Sequence, residues 1–63
     1  MMDPTVNLAR QRAIVTEIHN HWDNPTIIGD GVIVSLASEL AEHVEALDEW
    51  ITRGGFLPTQ WKK

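Results

Sequence analysis

Cysteine is missing from this chain, so no disulfide framework can brace it, and the absence fits a reducing compartment. Also missing is any apolar run approaching the roughly 20 residues that span a bilayer. The N-terminal stretch MMDPTVNLARQR has no basic segment followed by an apolar one, so a secretory signal is not expected and the expected location is the cytoplasm. Positive charge is scarce. Five Lys and Arg against nine Asp and Glu give a formal net charge of −4, which leans away from DNA, RNA and anionic membranes as partners. There are no internal repeats and no low-complexity tract. A 43% share of hydrophobic residues argues against disorder. One domain is the most that 63 residues can make, and a chain of that size buries only about 60% of its unfolded surface when it folds alone.

The strongest pattern runs from Gly31 to Arg53. Ile33, Leu36, Ala37, Leu40, Val44, Leu47, Trp50 and Ile51 recur at intervals of three and four, the spacing of a helix stripe. Ala41 and His43 widen it, while Glu39, Glu42, Glu45, Asp48 and Glu49 fall on the other side. Asp30 is the expected N-cap. Gly54-Gly55 closes the helix: with Gly55 in the left-handed position, Phe56 can pack back onto Ile51, and Pro58 stops the helix from resuming. The spacing therefore predicts a helix over 31–53.

A second, less apolar helix is expected over 4–22. Asp3 caps it and Pro4 fits its first position. Leu8, Val15 and Trp22 lie seven apart, with Ile14 and Ile18 beside them and Gln11 interrupting the stripe. Asp23-Asn24-Pro25 breaks it, and the loop 23–30 is long enough to reverse direction, with Ile27 and Ile28 plugging the end of the pair. TIIGDGVIV also fits a β-hairpin, but no third strand exists to complete a sheet. The helical reading is preferred. Residues 54–63 form an aromatic tail that either folds back over the helix pair or reaches a partner chain.

The fold class expected is all-α, a two-helix antiparallel hairpin in a single domain over 1–63. A helix pair has a core one layer thick, and each helix carries an apolar face wider than its neighbour can cover. Pairing two hairpins into a four-helix bundle hides the second face, and a twofold dimer is the commonest closed solution. Leu36, Leu40, His43, Val44, Leu47, Trp50 and Ile51 are the expected self-association interface. Phe56, Leu57 and Trp61 are the candidate contacts to a partner, which is a second copy, a higher even assembly or a host protein.

Catalytic and metal chemistry find little footing. His19 and His21 are two apart and point away from each other on a helix, whereas a helical metal pair needs a spacing of three or four. Pairs such as His19 with Asp23 have that spacing, but it is common. The acidic strip reads as a solvated face, with docking to a basic partner or phosphate mimicry as the sharper alternative. His43, on the stripe between Leu40 and Leu47, reads as a seam histidine; its functional alternative is a pH-sensitive interface. No metal, cofactor or catalytic residue is expected, and the chain is not expected to be an enzyme. Arg10 and Arg12 with Lys62-Lys63 are too few for a nucleic-acid patch, although a dimer would bring Arg10 and Arg12 of two chains together. A nucleic-acid-associated regulator is the alternative on that ground.

The ending Ala46–Trp61, with Leu47-Asp48-Glu49-Trp50 followed by Gly54-Gly55-Phe56-Leu57-Pro58 and Trp61, is similar to that of small uncharacterised proteins of actinobacteria and their phages, whose tails read roughly LDEWLxxGGFLPxxW. The resemblance covers about the last quarter of the chain and the acidic helix before it. It implies a helical fold and an actinobacterial or phage source, hence a bacterial host cytoplasm. It brings no catalytic or binding residue with it. The function expected is a small acidic protein–protein interaction protein, a phage accessory factor.

Overall fold

Asp3 starts the first helix as its side chain dictates. Its Oδ1 accepts from the Thr5 N–H at 2.9 Å and from the Val6 N–H at 3.2 Å, which satisfies two of the N–H groups a helix start leaves open. Pro4 follows at the first helical position, where a missing N–H costs nothing. In the computed structural model, which describes residues 2–23 and 30–62 without the side chains of Asp23 and Asp30, α1 spans Pro4–Asp23 and α2 spans Asp30–Thr52. None of the described residues lies in a strand. Residues 31–34, the second arm of the β-hairpin alternative, belong to α2. The Asp30 side chain expected to form the cap is not among the described side chains, and the Ile27-Ile28 plug falls outside the described residues.

Asn7 bonds to the backbone of His43 and Arg10 to the side chain of Glu39. Numbers rise on α1 as they fall on α2, so the two helices are antiparallel. Leu8 and Ile14 of α1 and Leu36 and Leu47 of α2 are buried. The inward row of α1 is Asn7, Leu8, Gln11, Ile14 and Ile18. This corrects the heptad row read from the sequence: Val15 is 39% exposed and Trp22 is 74% exposed. Seven residues fall short of two full turns by roughly 20°, so a strict seven-residue row drifts around a straight helix. Gln11 does not interrupt the inward row but belongs to it.

The end of α2 is a Schellman turn. The Gly55 N–H donates to the Trp50 carbonyl at 2.9 Å and the Gly54 N–H to that of Ile51 at 3.0 Å, the paired bonds that close a helix this way. The left-handed residue is Gly54, with φ at 91°, not Gly55 as expected. Gly55 is needed for a different reason. A Cβ on it would run into the Trp50 indole. That indole donates from Nε1 to the Phe56 carbonyl at 3.0 Å and meets the Phe56 ring edge-on at 5.4 Å between centroids.

Beyond Phe56 the tail crosses the open end of the hairpin. Pro58 and Pro4 are fully buried. The Thr59 N–H donates to Thr5 Oγ1 at 3.1 Å, and Gln60 Nε2 donates to the Thr5 carbonyl at 3.0 Å. A 3₁₀ turn over Thr59–Trp61 ends the strap. Of the two courses the sequence left open, the tail takes the first and folds back over its own hairpin.

The result is long and thin, 43 × 23 × 15 Å, with a radius of gyration of 13.7 Å. A compact chain of this length would have about 11 Å. Among the described residues, no helix is long and apolar enough to cross a membrane.

Candidate functional site

The two flanks of the hairpin differ in chemistry, and the difference follows from which side chains each helix turns sideways. On one flank the Arg10 guanidinium grips Glu39 through two of its nitrogens, Nε to Oε2 and Nη2 to Oε1, the latter at 3.0 Å. Beside it, Asn7 Nδ2 donates to the His43 carbonyl at 3.1 Å, and Gln11 Nε2 donates to Asn7 Oδ1 at 2.7 Å. His43 Nδ1 sits 2.8 Å from the Glu39 carbonyl. A carbonyl only accepts, so Nδ1 is the donor. Asn7, His43 and Arg10 with Met2, Asp3 and Val6 line a shallow, open depression there.

This cluster was poorly legible in the sequence. Glu39, read as part of a solvated acidic strip, is paired across the hairpin with Arg10. The available signal was Asn7 and Gln11, four residues apart on the apolar side of α1: buried amides need partners, and the facing helix supplies one. Arg10 holds the Glu39 carboxyl below its usual range, chiefly by the hydrogen bond. A lowered carboxyl stabilises the fold above the ordinary carboxylate range and stops doing so as acid protonates it. The pair is well exposed, and that contribution is small. Asn7 is another matter, because it is buried. Asn7→Ala is expected to cost about 1–3 kcal/mol by leaving the Gln11 amide short of a partner. Urea denaturation reads this directly, and a loss under about 0.5 kcal/mol would mean that the amide cluster contributes nothing.

The other flank is apolar. Val44, Leu47, Ile51 and Trp61 meet there, with Gln11 and Asp48 beside them. At about 100° per residue, Ala37, Leu40 and Ala41 extend the same side along α2, as Val15 and Trp22 do along α1. Val44 is 47% exposed and Trp61 45% exposed. The strap therefore runs from Phe56 on the polar flank to Trp61 on the apolar one.

The structure divides the expected interface residues. Leu36 and Leu47 are buried inside the hairpin. Leu40 and Ile51 are half-buried toward the apolar flank, where Val44 stands open. His43 and Trp50 are half-buried and lie on the polar flank, as the Asn7 and Phe56 bonds place them. Of the tail residues, Phe56 meets Trp50 edge-on and is otherwise as exposed as Leu57, and Trp61 joins the apolar flank. Among the described residues, no three of His, Asp and Glu are grouped to hold a metal. No protein-family model, no curated protein and no solved structure matches the chain.

Proposed function

We propose that this chain is a small acidic interaction protein, without enzymatic activity, that works through the apolar flank of its hairpin. The observation behind the reading is the open group of Val44, Leu47, Ile51 and Trp61, with exposed Val15 and Trp22 on the same side of α1. A contiguous exposed apolar patch is the mark of an interaction site in a folded chain, and aromatic residues are the usual anchors of one. A homodimeric four-helix bundle is the closed form such a hairpin would take. The resemblance of the tail to small actinobacterial and phage proteins supports an accessory role in a bacterial host cytoplasm, where a host protein is the other class of partner.

A nucleic-acid role has less behind it. Arg10, one of its two expected contacts, is occupied by Glu39. The deciding experiment is affinity capture from a bacterial host lysate with tagged wild type and with a Val44→Asp variant. A defined partner, whether a host protein or the untagged chain, should be retained by the wild type and lost by the variant. Equal capture by both, or retention on DNA that falls steeply with salt, would overturn the reading.

A further inference from the structure

We infer that the apolar flank is the seat of a second copy of this chain, which lays the same flank against it around a twofold axis. The inference rests on the interaction reading above and adds its surface and its occupant.

The first support is area. The chain exposes 4793 Å², whereas a folded monomer of its 7.1 kDa mass exposes about 4,100 Å². The excess, roughly 700 Å², is close to the ~800 Å² that each partner contributes to an interface of standard size. The surplus belongs to the whole elongated chain, and covering one flank with a second copy would remove an amount of that size.

The second support is one-sidedness. The polar flank is cross-linked by its own bonds, with Arg10 on Glu39 and Asn7 and Gln11 on the His43 carbonyl, while Val6 and Phe56 stay open there. No comparable set of bonds closes the apolar flank among the described residues. The third support is charge. At −4 per chain, two copies repel wherever their acids approach. Glu42 and Glu49 project away from the apolar flank at helical spacing, Glu45 lies at its rim four residues after Ala41, and Asp48, four after Val44, stands on it. Two copies can meet there with few like charges brought together. A flank two helices wide is also matched by its own copy, since an isologous contact needs one surface used twice.

The interface differs from the one expected from the sequence. Leu36 and Leu47 are spent inside each hairpin, and His43 and Trp50 face the other way. Val15, Trp22 and Trp61 take their places beside Val44.

Sedimentation equilibrium at micromolar concentration, on the full chain, tests this with two variants. Val44→Asp puts a charge on the apolar flank, and Val6→Asp puts the same charge on the polar flank at a still more exposed valine (63%). The wild type and Val6→Asp should both be dimeric. Val44→Asp should raise the dissociation constant at least about tenfold while keeping its helical circular dichroism, and Trp61→Ala should weaken the dimer in the same direction. A monomeric wild type, or equal weakening by the two aspartates, overturns the inference. If the monomeric wild type still captures a host protein that Val44→Asp loses, the second copy falls and the interaction reading survives. If Val44→Asp changes neither, both fall.

Discussion

Ile14→Ala should unfold a large share of the protein at room temperature. Among the described residues, Ile14 is the largest fully buried side chain, near the middle of α1. Trimming such a residue costs about 2–5 kcal/mol, from lost transfer energy and from the cavity left behind. A chain of 63 residues has only about 3–9 kcal/mol of total stability to lose. The hairpin cannot absorb the change by repacking, because its core is one layer thick and holds few other buried apolar side chains. Ile14→Val, which removes one methyl, should cost about 0.5–1.5 kcal/mol. Val34→Ala is the contrast: Val34 is 61% exposed, and the change should stay within about 0.5 kcal/mol. Urea titrations at one fixed protein concentration compare the three. Equal midpoints for Ile14→Ala and Val34→Ala would contradict the placement of the core.

Gly55→Ala should cost more than Gly54→Ala, the reverse of what backbone conformation alone suggests. Gly54 carries the positive φ, and a side chain there meets nothing within reach. Its penalty is the left-handed conformation, roughly 1–2 kcal/mol. Gly55 has no such conformational demand, but its Cβ would occupy the space of the Trp50 indole. Trp50 would have to swing away. It would give up the edge-on contact with Phe56, worth about 0.5–1.5 kcal/mol, and the hydrogen bond to the Phe56 carbonyl, worth about 0.5–1.5 kcal/mol. Strain in the Schellman turn adds to this, and about 2–4 kcal/mol is expected in all, in the range of other overpacked positions. Because Phe56 opens the strap that ends on Thr5, the loss should also expose the tail. Tryptophan fluorescence, shifted to the red in folded Gly55→Ala and not in Gly54→Ala, separates the two causes. Equal costs with no spectral shift would mean that Trp50 is not held against the turn.

What the sequence made legible was periodicity and punctuation. Spacings of three and four on α2 announced a helix, and Asp3-Pro4 and Gly54-Gly55 announced where helices start and stop. From these the all-α hairpin follows. Three things were hidden, each for a physical reason. The inward row of α1 mixes Asn7 and Gln11 with Leu8 and Ile14, so a search for apolar residues alone selects Val15 and Trp22 instead. The Arg10–Glu39 pair joins residues 29 apart, and no local spacing reveals such a contact. The reason for Gly55 lies in the side chain of Trp50, five residues earlier, which a turn signature does not encode. The candidate site was legible in kind, since surplus apolar surface can be counted from composition. Its location was not. Which flank stays open depends on where Arg10, Asn7 and the strap settle, and those are tertiary facts.

The claim at the centre is that one flank of this hairpin is completed by another molecule of the same chain. Thermal unfolding of the wild type over a hundredfold range of concentration, on the order of one to one hundred micromolar, tests it most directly, because mass action stabilises an associated fold as concentration rises. The account predicts a melting midpoint that climbs by several degrees across that range. A cooperative transition at one temperature throughout would contradict it.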